Sequence, residues 1–291
     1  MTKNSQEYKL QHITVCVYQC VLQHLDVNKF CLSISGSQTM DNFSPRHGGS
    51  VFAVLVGASQ VLGLVSVVLT GVWMGHYRGG FAWDGSAQEF NLHPLCMVLG
   101  LIFLHGDAIL VYRVFRNEAK KHVKLLHGTI HLLALIISII GVVAVFDFHK
   151  AAKIQDMYSL HSWCGMGTLI LFCLQWVLGL LFFLFPVASS WLRATYLPIH
   201  VFCGLSLLVM AIGTSLLGIT EKLLFSIMST YSQFAPEGVL ANILGILLVL
   251  YGVVLVYLIT REEYRRISDP EEESLSVHFK NLTESGLPTT P

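Results

Sequence analysis

The chain has 291 residues, of which 54% are apolar and only 12% charged, with 18 basic and 18 acidic side chains and a mean hydropathy of +0.63. A soluble domain carries about 25% charged residues, so the composition excludes an ordinary water-soluble fold and points to a chain that lives in a bilayer. A formal net charge of zero gives no field for a nucleic-acid partner.

In chain order, residues 1–49 hold no span-length apolar run and no signal-peptide pattern. They read as an N-terminal extension without stable structure. Met40 stands just before the first apolar run and reads as an alternative start, which would make 1–39 optional. A membrane span needs about 20 apolar residues, and six stretches qualify, near 50–75, 94–112, 125–147, 160–186, 196–219 and 238–260. The expected fold class is an all-α integral membrane protein with six transmembrane helices over 50–261 and a central four-helix bundle made by helices two to five. Residues 262–291 are polar and acidic and read as a disordered tail.

Charge asymmetry predicts orientation. With six spans, both tails and the loops after helices two and four share one face, which carries fourteen of the basic residues. Arg113, Arg116, Lys120, Lys121 and Lys124 crowd the loop after helix two, and Arg193 follows helix four. The other face holds Arg78, Lys150, Lys153 and Lys222. The positive-inside rule then puts both termini in the cytosol. On that side the Asn42 and Asn281 glycosylation patterns would go unused. Cys96, Cys164, Cys173 and Cys203 fall within spans as small apolar residues. Cys16, Cys20 and Cys31 fall in the N-terminal extension, where reduction is expected.

Histidines carry the chemical signal. His93, His127, His161 and His200 stand near the starts of helices two, three, four and five. Neighbouring helices run antiparallel, so the starts of two and four share one membrane face and those of three and five the other. His93 is therefore expected to meet His161 near the non-cytosolic face, and His127 to meet His200 near the cytosolic face. Two imidazoles opposed across a bundle suit haem iron with two axial ligands, whereas zinc wants three or four ligands converging on one point. Gly165 and Gly204 at i+4, Gly128 at i+1 and Gly100 at i+7 would leave room for two porphyrins. Ionisable residues inside a membrane are costly and mark function; a neutral coordinating imidazole avoids the charge. One turn beyond His127, His131 reads as a partner standing behind it. His105 lies twelve residues after His93, about 120° around the helix at 100° per residue, and is expected to pair with Asp107. His12, His24, His47, His76, His122 and His278 form no constellation.

The stretches “FNLHPLCM” (90–97), “LVYRVFRNEAKK” (110–121), “LLHG” (125–128), “YSLHSW” (158–163), “LPIHVFCG” (197–204) and “PEGVLANILG” (236–245) occur in an order that resembles cytochrome b561, in its animal chromaffin-granule branch. The resemblance runs from about Gly49 to Lys280. His105 departs from it, since a glutamine is expected there. The resemblance implies two haems b ligated by His93 with His161 and His127 with His200. It also implies a cytosolic ascorbate site at Arg113, Lys120, Lys124 and Arg193. An exit site is implied at Phe146, His149, Tyr158, Glu237 and Asn242, where His149 would move a proton. The implied activity is that of a transmembrane oxidoreductase. Ascorbate would give one electron on the cytosolic side, and monodehydroascorbate radical or a ferric chelate would receive it on the other. A homodimer in a secretory-granule membrane is likewise implied. Two rivals remain at this point: a histidine-lined metal-ion transporter, with ligands near the midplane, and a haem-binding scaffold without catalysis.

Overall fold

The computed structural model describes residues 46–185 and 188–266. The expectations for Met40, Cys16, Cys20, Cys31, Asn42 and the acidic tail lie outside the described residues. The chain divides into two units, Met1–Ser50 and Val51–Pro291, and the helical body is the second. Six helices are long and apolar enough to cross a membrane: α1 Gly49–Tyr77, α2 Ala87–Val114, α3 Lys120–Ala152, α4 Leu160–Leu184, α5 Ser190–Tyr231 and α6 Pro236–Thr260. The chain is thus a multi-pass membrane protein.

Helix α2 packs on α3, α3 on α4, α4 on α5, and α5 back on α2, closing a four-helix bundle. Helix α6 lies against α5 and α2. In lipid there is no hydrophobic drive for helices to associate, so close packing and buried polar contacts must hold them. Gly141 of α3 supplies one close approach: a Cβ there would fall 2.6 Å from Cys96 Cβ of α2. Gly106 of α2 likewise makes room for the Tyr251 ring of α6. The Tyr251 hydroxyl donates to the Phe103 carbonyl at 3.0 Å, and Gln60 of α1 donates to Asp107 of α2 at 2.8 Å. Large apolar side chains such as Val54, Ile139, Leu174, Phe202 and Ile246 stay exposed on the outer faces, as lipid contact requires.

Helices α5 and α2 depart from the sequence expectation. Helix α5 is 42 residues long rather than the 24 or so of the apolar run, because nothing in Thr220–Lys222 breaks a helix. At about 1.5 Å per residue it spans about 63 Å, twice the hydrocarbon core. Its last turns bend at Ile227, whose backbone leaves the helical region. Helix α2 begins earlier than expected, at a Ser86 cap that accepts from the Gln88 amide. Within α2, Val98–Leu104 is wound as π-helix. One residue inserted into the α-helical ladder turns everything after it by about 100°.

That rotation overturns the expected His105–Asp107 pair. It cancels most of the 120° offset from His93 and drives His105 into the bundle, where it is 1% exposed. Its two ring nitrogens lie 3.2 Å from the Leu101 carbonyl and 3.2 Å from the Gly204 carbonyl. Asp107 turns to α1 instead, onto Gln60.

Candidate functional site

The “YSLHSW” stretch explains the position of His161. Ser159 caps α4 by accepting from the Ser162 amide, and the Ser162 side chain answers to the Ser159 backbone in a capping box. Such a box fixes the first turn, and His161 is the second helical residue. From there its ring reaches α2. The His93 and His161 ring centres are 6.0 Å apart. At the other end, His127 of α3 and His200 of α5 lie 6.2 Å apart.

Three of these four rings are held from behind by a backbone carbonyl on a neighbouring helix. His93 Nδ1 lies 3.1 Å from the Gly141 oxygen of α3. His161 Nδ1 lies 2.9 Å from Thr214 of α5, and His127 Nδ1 lies 2.7 Å from Ala108 of α2. A nitrogen facing a carbonyl must carry the proton, so Nδ1–H donates and Nε2 is left with a free lone pair. This is the usual arrangement behind a ligating histidine. His200 is the exception: its Nδ1 is buried without a hydrogen-bond partner, and its ring is flanked by Phe183 at 5.1 Å and Tyr196 at 5.8 Å.

The spacing tests whether an iron could sit between the rings. A metal–imidazole bond of about 2.0 Å on each side, with about 1.1 Å from nitrogen to ring centre, would put two opposed rings about 6.2 Å apart. The observed 6.0 and 6.2 Å fit that value. Among the described residues no group of three or more His, Cys, Asp or Glu could hold a bare metal ion.

Other glycines make room for the imidazole rings themselves, while Gly128 faces open space. Gly100 serves the α2–α3 contact, where a Cβ would meet the Ala134 carbonyl at 2.8 Å. Instead, Gly218 faces His161, with a Cβ only 2.6 Å from Cε1, and Gly179 faces His200 at 3.0 Å. Each lies on the helix opposite the ring, so no fixed offset from the histidine could reveal it.

Between the pairs lies a layer drawn from all four helices. The His131 ring stands 4.5 Å from His127 and 5.3 Å from His105. Phe172 of α4 packs on both, at 4.9 Å from His105 and 5.4 Å from His131. The Gly204 carbonyl of α5 completes it.

At the end of the bundle that holds His127 and His200, the basic residues have separate fates. Arg113 is buried and donates to the carbonyls of Arg261, at 2.9 Å, and Ile259. It caps the end of α6, a commitment unforeseen in the sequence. Lys124 lies one turn before His127 and donates to the Phe183 carbonyl at 3.4 Å. Arg193 is close enough to act on it electrostatically. Lys120 is the first residue of α3, where the helix dipole also favours an anion. Tyr112 edges His127 at 5.2 Å.

At the opposite end, His149 Nδ1–H donates to Asp156 at 2.9 Å, a partner the sequence reading missed. Phe148 lies between His149, at 5.9 Å, and Phe90, at 5.5 Å, and Phe90 is 6.1 Å from His93. Phe146 is half-buried and Tyr158 is exposed. Glu237 is buried and accepts from Trp73 Nε1 at 2.7 Å and from Arg78 Nε at 2.6 Å, with a second contact to the same guanidinium. Asn242 accepts from the Tyr231 hydroxyl at 2.8 Å. These two residues have structural partners of their own.

Comparison with known proteins agrees with this architecture. The family model for eukaryotic cytochrome b561 matches residues 92–226, the stretch that carries all four paired histidines. The chain is 55% identical over 235 residues to the transmembrane ascorbate-dependent reductase of Sus scrofa, covering 81% of this chain and 93% of that one. With the Homo sapiens protein of the same name it shares 54% over 233 residues, covering 80% and 92%. The plasma membrane ascorbate-dependent reductase of Xenopus laevis is 42% identical over 248 residues, covering 84% and 88%. On this similarity, and on its six-helix architecture, the chain belongs to the eukaryotic cytochrome b561 family.

Proposed function

We propose that this protein transfers single electrons across its membrane, from ascorbate on the cytosolic side to an acceptor on the other, with one haem b held by each histidine pair. The observation that carries this reading is the pair of imidazole couples, 6.0 and 6.2 Å between centres, with Nδ1 committed and Nε2 free in three of the four rings. Haem b supplies a one-electron ferric/ferrous couple when bound. The family, and relatives named as ascorbate-dependent reductases, support that cofactor and that donor.

The chain's own residues then have defined tasks. His93 and His161 grip from α2 and α4, and His127 and His200 from α3 and α5. The carbonyls of Gly141, Thr214 and Ala108 fix ring orientation and strengthen the ligands. His105, His131 and Phe172 keep water out of the space between the pairs. Lys124 and Arg193, with Lys120 one turn earlier, attract the ascorbate monoanion, while Arg113 acts from behind by holding the end of α6. Facing the other compartment, Phe146, His149 and Tyr158 border the exit. Asp156 orients His149, which supplies the proton as monodehydroascorbate radical anion takes up one electron and one proton to become ascorbate monoanion. The acceptor proposed is the monodehydroascorbate radical, with a ferric chelate as the second reading. Cytosolic termini and a secretory-granule membrane complete the reading.

The test is ligand removal at each level. His93→Ala and His127→Ala should each lose about half of the haem, measured per chain by the pyridine haemochrome assay. The remaining haem should still be reduced by ascorbate only in His93→Ala. Full haem content in either variant refutes the assignment.

A further inference from the structure

Helix α5 carries Thr214, Gly218 and Lys222 on one face, four residues apart. The first two already belong to His161: Thr214 accepts from its Nδ1–H at 2.9 Å, and Gly218 leaves space for its ring. Lys222 is the next residue along that stripe, one turn further out. Its ammonium lies 3.9 Å from the centre of the Phe90 ring, and Phe90 is 6.1 Å from His93. Lys222 and Phe90 therefore cover the outer mouth of the His93–His161 pair from α5 and α2.

The acidic groups around it are each engaged elsewhere, so this cation has no direct ion-pair partner among the described residues. Arg78 and Glu237 are near enough to act on Lys222, but they are bound to each other. Glu221, its neighbour in sequence, accepts from Ser159 of α4 at 3.3 Å. Lys222 itself makes no ion pair among the described residues. A half-buried ammonium held over an aromatic ring rather than in an ion pair presents a local positive charge beside Phe90, while the Glu221 carboxylate is turned to α4.

The geometry points to Lys222 as the acceptor-docking residue: it draws an anionic one-electron acceptor onto the Phe90 edge and so selects anions over cations. This inference rests on the proposed exit of electrons at the His93–His161 end. The acceptor gains one electron there, and for the monodehydroascorbate radical anion one proton follows.

The test uses the full-length, haem-loaded protein in liposomes with entrapped ascorbate and the non-cytosolic face outward. Reoxidation of reduced haem is followed after adding ferricyanide, a trianion, or hexaammineruthenium(III), a trication. Removing one charge about 8 Å from a trianion, at about 20 mM ionic strength, should slow ferricyanide about five-fold in Lys222→Gln. The trication should react faster in the same variant, and both differences should fade at about 1 M salt. Lys222→Arg keeps the charge and should keep the wild-type preference. Equal slowing of both acceptors, a loss that salt does not erase, an unchanged ratio, or failure of Lys222→Arg to retain it overturns the proposal. Wild-type protein that passes electrons to neither acceptor overturns the exit reading beneath it, a result separate from any change in the ratio.

Discussion

Gly218→Ala offers a strong test of the site because it replaces no proposed ligand and favours the helix. Alanine in place of glycine within a helix is worth about 1 kcal/mol of added stability, so lost function cannot be blamed on a weaker α5. The new methyl would arrive 2.6 Å from His161 Cε1, where ordinary contact begins at 3.4 Å. The ring must therefore retreat by about 0.8 Å, beyond the ~0.5 Å within which a metal constellation works. A retreat away from α5 also stretches the bond to Thr214, now 2.9 Å, toward about 3.7 Å, past hydrogen-bond reach. Losing such an orienting bond typically costs about 10–100-fold in metal affinity. Transfer of haem to excess apomyoglobin should accordingly speed up about ten-fold or more for half of the bound pigment. Gly179→Ala is the internal control. Its methyl would meet His200 at 3.0 Å, demanding a shift of only about 0.4 Å, so its effect should be smaller. Unchanged transfer kinetics in Gly218→Ala, or a larger effect in Gly179→Ala, would refute the geometric argument.

Two further outcomes follow from the ends of the bundle. Glu237→Gln leaves the Arg78 guanidinium without its counter-charge while keeping an acceptor for Trp73. Thermal unfolding in detergent should show a loss of about 2 kcal/mol, with ascorbate-driven reduction unaffected; a large rise in acceptor KM without loss of stability would restore Glu237 to the exit site. Lys124→Gln should raise the KM for ascorbate several-fold at low ionic strength and much less at about 1 M salt; stopped-flow reduction of the haem by ascorbate measures this, and a salt-independent change would count against electrostatic docking.

Much of the architecture could be read from local pattern. Six apolar runs of sufficient length predict six spans, and antiparallel alternation alone brings His93 to His161 and His127 to His200. Ser159 and Ser162 announce the start of α4 through their capping chemistry. The basic cluster at Lys120 and Lys124 is likewise visible as a block of like charge. What could not be read was rotation about a helix axis once the regular period is broken. His105 was assigned to Asp107 on a uniform 100° step, and the π-helix at Val98–Leu104 voided that step. The glycines that clear the histidine rings, Gly218 and Gly179, were not legible for a related reason: they lie on a neighbouring helix, at no fixed offset from the histidine.

The sequence by itself determined the solvent, the number of spans and the level of each histidine, because hydropathy and spacing are one-dimensional properties of a chain confined to a slab. Only the tertiary structure decided which carbonyl orients three of the four imidazoles, that Arg113 binds the end of α6 and Glu237 binds Trp73 and Arg78, and that Lys222 stands over Phe90. Those contacts join residues as much as 164 positions apart and turn on a few tens of degrees of helix rotation, which packing sets and no local period encodes.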